Sequence, residues 1–178
     1  VIDNQDIDVD NDGTDNLLDV DIKELVKQVN DITASSKWTA YADNAIWASY
    51  KTNYGGLTSY RLITQAYFNL HSPITPVLRN QAFSDGTLVY YSDTLNGLES
   101  LHNYFKNKEL LSQLTSEETI LSNGTLFFVS DTEGKVLNVG IVTGNDTVGI
   151  VLPYDQRVKA HTFSDVTNYY GNKVQVDF

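Results

Sequence analysis

The sequence predicts an α+β domain, and three observations predict it. Apolar residues recur at helical spacing through much of the first 114 residues. Runs rich in β-branched and aromatic residues, separated by turn signals, fill the last third. The order is helices first and strands afterwards, which suits a helical layer on an antiparallel meander rather than alternating βαβ units.

Ile22, Leu25, Val26, Val29 and Ile32 share one helical face, so residues 21–36 read as an amphipathic helix. The aromatic and polar stretch KWTAYADNAIWASYKTNYGG follows and ends in a glycine pair, which reads as a packed loop. Leu57, Tyr60, Ile63, Tyr67 and Leu70 mark a second, more buried helix, closed by HSPITP, whose prolines forbid continuation. TLVYY at 87–91 is a strand candidate. Leu98, Leu101, Phe105, Leu111 and Leu114 predict a helix over 96–114, and Thr115 with Glu118 has capping-box spacing. The strand-like runs are then TLFFVS (125–130), VLNVGIVTG (136–144), TVGIVLP (147–153) and KVQVDF (173–178), with DTEGK and GND as turns.

The chain has 178 residues, 41% of them hydrophobic and 11% aromatic, enough for one domain with a proper core. No run approaches the length of a membrane span. The sequence starts at Val1, which reads as a processed protein or an excised fragment, a reading that allows for a removed targeting segment. There is no cysteine, so neither disulfide nor thiolate chemistry is available, and the composition suits export from a Gram-positive bacterium. The net charge of −11 is unevenly placed. Of 23 acids, eight are aspartates within residues 1–21, an arm without Lys or Arg; the other 15 face 12 bases, leaving the body near −3. Without a basic face, nucleic acid and anionic membranes are poor partners.

The arm carries a pattern of its own. In DVDNDGTDNLLD, Asp8, Asp10 and Asp12 alternate, Gly13 follows, Thr14 offers a backbone carbonyl, and Asp19 holds the twelfth place. Calcium takes about six to eight hard oxygens from a loop of this spacing. The stretch resembles the calcium loops of EF-hand, dockerin and thrombospondin type 3 repeats. It departs from the EF-hand at Asp15, where an apolar residue is usual, and in using Asp rather than Glu at place twelve. A solvated acidic linker is the plainer reading. Calcium is the one cofactor to expect, stiffening a connector.

In the body, a glycine-flanked helix start, a Gly–x–Leu–Phe–Phe strand and a Val–Gly–Ile strand occur in order. Over residues 22–178 this resembles the NlpC/P60 family of papain-like cell-wall peptidases. The family's Asp–Cys–Ser–Gly–Leu corresponds to Asn53, Tyr54, Gly55, Gly56 and Leu57. Its proline-containing segment ending near a glutamine corresponds to HSPITPVLRNQAF with Gln81. Its Gly–Asp–Leu–x–Phe–Phe becomes Gly124, Thr125, Leu126, Phe127 and Phe128, one residue shorter, and its His–Val–Gly–Ile becomes Asn138, Val139, Gly140 and Ile141. The stretch 92–122 is longer than usual for the family. The resemblance implies a papain-like α+β fold, with N-terminal helices packed on an antiparallel sheet.

It also places the chemistry. A thiolate is stabilised at a helix N-terminus, an imidazole on the facing strand takes its proton, and a third polar group orients the ring. Here those positions hold Tyr54, Asn138 and Ile150. A phenol with a pKa of about 10 is a poor nucleophile at neutral pH, an amide is no base, and isoleucine orients nothing. The resemblance therefore implies no catalytic residue of the family kind, with Tyr54 and Asn138 as candidate ligand-binding residues in the inherited groove.

Other residues point less sharply. His71, His102 and His161 show no metal-ligand spacing and no Gly–x–Ser–x–Gly elbow accompanies them. Asn123–Gly124–Thr125 and Asn145–Asp146–Thr147 match glycosylation sequons and are ordinary turns. Trp38, Tyr41, Trp47, Tyr50 and Tyr54 form an aromatic cluster that either packs the loop or stacks on a ligand. The expectation is a non-catalytic domain, secreted or wall-associated, that holds a cell-wall peptide, a glycan or another surface protein. Two rivals are a hydrolase using Tyr54 or a serine with His161, and a purely structural module of a surface or phage-tail protein.

Overall fold

The computed structural model describes residues 21–35, 37–40, 57–70, 83–84, 87–88, 94–107, 109–112, 121–171 and 175–177. The acidic arm, with Asp8, Asp10, Asp12, Thr14 and Asp19, lies outside them. So do Tyr54, His71, Gln81, Thr115 and Glu118, and most of the aromatic loop and of TLVYY.

Among the described residues, four helices, α1 (Ile22–Ala34), α2 (Ser59–Asn69), α3 (Thr94–Asn107) and α4 (Phe163–Tyr170), accompany seven strands. Two short strands, β1 (Phe83–Ser84) and β2 (Thr87–Leu88), form a separate antiparallel pair. The main sheet has the order β6-β5-β4-β3-β7, every pair antiparallel, from β3 (Leu126–Ser130), β4 (Val136–Val142), β5 (Thr147–Gly149), β6 (Ala160–Thr162) and β7 (Gln175–Asp177). The α+β class read from the sequence is the class observed.

Each element starts and stops for a local reason. Asp21 caps α1, its side chain accepting from the backbone N–H groups of Lys23 and Glu24. Leu25, Val29 and Ile32 are the stripe that α1 buries. At α2, Thr58 Oγ1 accepts from Arg61 N at 3.2 Å, and the helix begins only at Ser59. Leu57 therefore lies before the helix, buried and bridged to Ala40. The predicted helix over 96–114 ends early: α3 stops at Asn107, Glu109 adopts φ 56°, and Leu111 packs on the core from beyond the helix. Between β3 and β4 the DTEGK turn forms as its residues dictate. Asp131 Oδ1 accepts from Glu133 N and Lys135 N, both at 2.9 Å, and Gly134 takes φ 85°.

The sheet is covered on both faces. Leu126, Phe128, Val139 and Ile141 pack with Leu25 and Val29 of α1, Leu62 and Ile63 of α2, and Leu98 and Leu101 of α3. On the other face Phe127, Val129, Val142, Val148, Ile150 and Leu152 pack with Val166 of α4. Strand alternation sorts neighbours to opposite sides. Each fully buried aliphatic or aromatic side chain contributes roughly 1.5–3 kcal/mol. Gly140 lies directly opposite Phe127, and a Cβ there would stand 2.3 Å from the Phe127 ring, so the ring rests on bare backbone.

β6 and α4 were not foreseen. β6 is three residues long, below what alternation can reveal. α4 carries a capping box, with Thr162 Oγ1 accepting from Asp165 N and the Asp165 carboxylate accepting from Thr162 N. The Thr-x-x-Asp spacing was the readable signal.

Candidate functional site

Asn138 sits on β4 opposite Val129, sharing its face with Gly140 and Val142, the face that α4 covers. It is buried. Its Nδ2 donates to the Val151 carbonyl and to the Tyr170 hydroxyl, both at 2.9 Å, and its Oδ1 accepts from Val139 N. Burial pushes the Tyr170 hydroxyl above its ordinary pKa, against the opposing effect of the Asn138 hydrogen bond.

The first residue of α2 reaches the same place. Ser59 Oγ donates to the Val151 carbonyl at 3.0 Å and accepts from Val151 N at 2.8 Å. Both donating and accepting capacity of the hydroxyl is thereby used. Two side chains, from α2 and from β4, converge on one backbone carbonyl in the interior.

A second cluster grips the other half of that peptide unit. Leu152 N donates to Asp155 Oδ2 at 2.8 Å. The same oxygen lies 2.7 Å from His161 Nε2, while His161 Nδ1 lies 3.2 Å from Asp165 Oδ2. The side chains of His161 and Asp155 are 2% and 0% exposed, so this is an interior contact, and that of Asp165 is 42% exposed. Lys159 Nζ stands 3.9 Å from Asp155 Oδ1, as a point charge beyond hydrogen-bond reach. Asp165 is held below the ordinary carboxylate pKa, first by the Thr162 N–H and then by the His161 ring.

These contacts close a ring. From Asp165 in the first turn of α4 the path runs to His161, to Asp155, through the Val151–Leu152 peptide to Asn138, and back to Tyr170, the last residue of α4. The ring fixes both ends of an eight-residue helix that is too short to hold its shape by propensity alone.

Its chemical capacity follows from this geometry. Both nitrogens of His161 face carboxylate oxygens, so neither faces an open position where a nucleophile's proton would be taken. The two carboxylates sit at opposite nitrogens and do not converge on a point. Among the described residues no group of three or more His, Cys, Asp or Glu is placed to hold a metal ion. His102 lies on α3 with its ring 5.0 Å from that of Phe128, edge to face. Ile150 is fully buried among the apolar residues on the α4 side. Of the three family positions, the structure thus locates Asn138 and Ile150, while Tyr54 lies outside the described residues.

Sequence reasoning missed Ser59, Asp155, Asp165 and Tyr170. The capping spacing could have found Asp165. Nothing local marks Ser59, whose partner is 92 residues away.

At the surface beside the ring stand Tyr154 and Tyr169, 54% and 46% exposed, with ring centroids 5.8 Å apart. Tyr154 meets the His161 ring edge to face at 6.0 Å, and Tyr169 meets Tyr170 likewise at 4.9 Å. Partial loss of hydration pushes the Tyr154 hydroxyl above its ordinary pKa, and the charges of Asp165 and Asp155 act in the same direction. Among the described residues no helix is long and apolar enough to cross a membrane. Compared with protein-family models, curated proteins and solved structures, the chain matches none of them.

Proposed function

We propose that this is a non-catalytic, NlpC/P60-like domain of papain-like type, working at the bacterial cell surface, where it holds a cell-wall peptide, glycan or surface protein without cleaving it. The observation that carries this reading is the fate of the polar groups where the resemblance expects catalysis. The strand position for the family's histidine is Asn138, an amide that cannot serve as a base and whose Nδ2 is already donated to Val151 and Tyr170. The position for the third member is Ile150, packed in an apolar cluster. His161, the base required by the rival hydrolase, spends both ring nitrogens on Asp155 and Asp165. Among the described residues these polar side chains build the interior, and His161 between its two carboxylates is closed to a substrate's proton.

Cosedimentation with purified peptidoglycan, followed by mass spectrometry of the supernatant, tests the reading. The protein is expected in the pellet with no released peptide or sugar. Released fragments, lost on changing His161 to Gln, would establish the hydrolase instead. Neither pelleting nor release would favour the purely structural module. The acidic arm is proposed to bind calcium through Asp8, Asp10, Asp12, Thr14 and Asp19. Calorimetry at millimolar calcium that gives no heat would remove that part.

A further inference from the structure

The ring of hydrogen bonds does more than hold α4: it braces two exposed aromatic side chains. Tyr154 adjoins Asp155, whose carboxylate anchors the Leu152 N–H and His161, and its ring rests against the immobilised imidazole. Tyr169 adjoins Tyr170, whose hydroxyl is tied to Asn138, and its ring rests edge to face on that of Tyr170. Large aromatic rings that are half exposed and fixed from behind bind with little loss of rotamer freedom. The four exposed large hydrophobic side chains among the described residues are Ile22, Leu110, Tyr154 and Tyr169, and these last two stand together.

The rim sets the chemistry of the ligand. Lys159, its side chain 58% exposed, places its ammonium 5.8 Å from the centre of the Tyr154 ring. Asp165 offers a partly exposed carboxylate. Donors and acceptors thus border apolar ring surface, with both charge signs present. A polyanion would meet Asp165 and a chain of net charge −11. A cation would meet Lys159. A neutral pyranose suits the mixture, having an apolar face of C–H groups to lie on an aromatic ring and hydroxyl or acetamido groups to bond to both kinds of rim group. We propose that Tyr154 and Tyr169, with Lys159 and Asp165, form a binding site for a neutral hexopyranose unit of a glycan chain. This rests on the surface-binding reading above and selects the glycan among its partners.

The test is depletion binding of the protein to three solids: intact peptidoglycan, the same glycan stripped of its stem peptides, and chitin. The parent, a Tyr154→Ala/Tyr169→Ala double variant and Tyr154→Phe are compared, with thermal unfolding as a control for folding. Affinity for stripped glycan or chitin is expected to fall at least about tenfold in the double variant, while the ring-preserving Tyr154→Phe keeps it within about twofold. Binding to intact peptidoglycan but to neither stripped glycan nor chitin would overturn this inference and leave the surface-binding role standing. So would a double variant that binds as the parent does. A parent that binds none of the three would overturn both.

Discussion

The two halves of one peptide unit are held in different ways. The Val151 carbonyl is bound by neutral groups, the Ser59 hydroxyl and the Asn138 amide, in the fully covered interior. The Leu152 N–H is bound by Asp155, a carboxylate shared with His161 and lying close to Lys159. Neutral partners lose little hydration on burial, and each such bond adds about 1 kcal/mol net. A buried carboxylate loses much hydration and depends on its partners to offset that cost. The difference teaches where the domain is fragile: the charged side should be the more sensitive to substitution, and a pH response should enter through Asp165, the carboxylate whose pKa is held low.

The largest effect is expected at Asp155. Asp155→Ala removes the acceptor of Leu152 N and one partner of His161 together, and should cost about 3 kcal/mol by urea unfolding. A loss below about 1 kcal/mol would mean that the charged side bears little of the structure. Asn138→Ala comes next, at about 2 kcal/mol, from the lost hydrogen bonds and the space left behind. Because both residues act on the same peptide unit, the double variant should depart from additivity by at least about 0.5 kcal/mol. Strict additivity would break the picture of a single closed ring.

Ser59→Ala should cost about 1–2 kcal/mol, since Val151 N is then buried without its acceptor. The smallest effect separates the two sides by acidity. Asp165 has a lowered pKa when folded, so it adds stability that is fully present above its unfolded pKa of about 3.9. That stability is lost as pH falls through the folded value. The difference in melting temperature between the parent and Asp165→Asn should therefore be constant near neutrality and shrink below about pH 4. Ser59→Ala measured beside it should show a difference that does not change with pH.

Much of this architecture is legible in the sequence, and the reason lies in periodicity. α1, β3 and β4 announce themselves because each is long enough for its apolar residues to repeat, as Leu25, Val29 and Ile32 do on α1. β6 and α4 fall short of that length, and tertiary contacts decide them: His161 is drawn in by Asp155 six residues earlier, and Tyr170 by Asn138 across 32. The α3 boundary was overrun because Leu111 is apolar for a different purpose, packing on the core after the chain has turned at Glu109. Asn138 was singled out by motif position, but its partners Val151 and Tyr170 come from distant parts of the chain that no spacing rule connects.

The most direct measurement of the functional account follows new amino groups and new reducing ends over time in a peptidoglycan suspension with the full chain at high concentration. A flat trace is expected while the protein is retained on the solid. A signal rising in proportion to protein concentration, and abolished in His161→Gln while Tyr154→Phe keeps it, would contradict it.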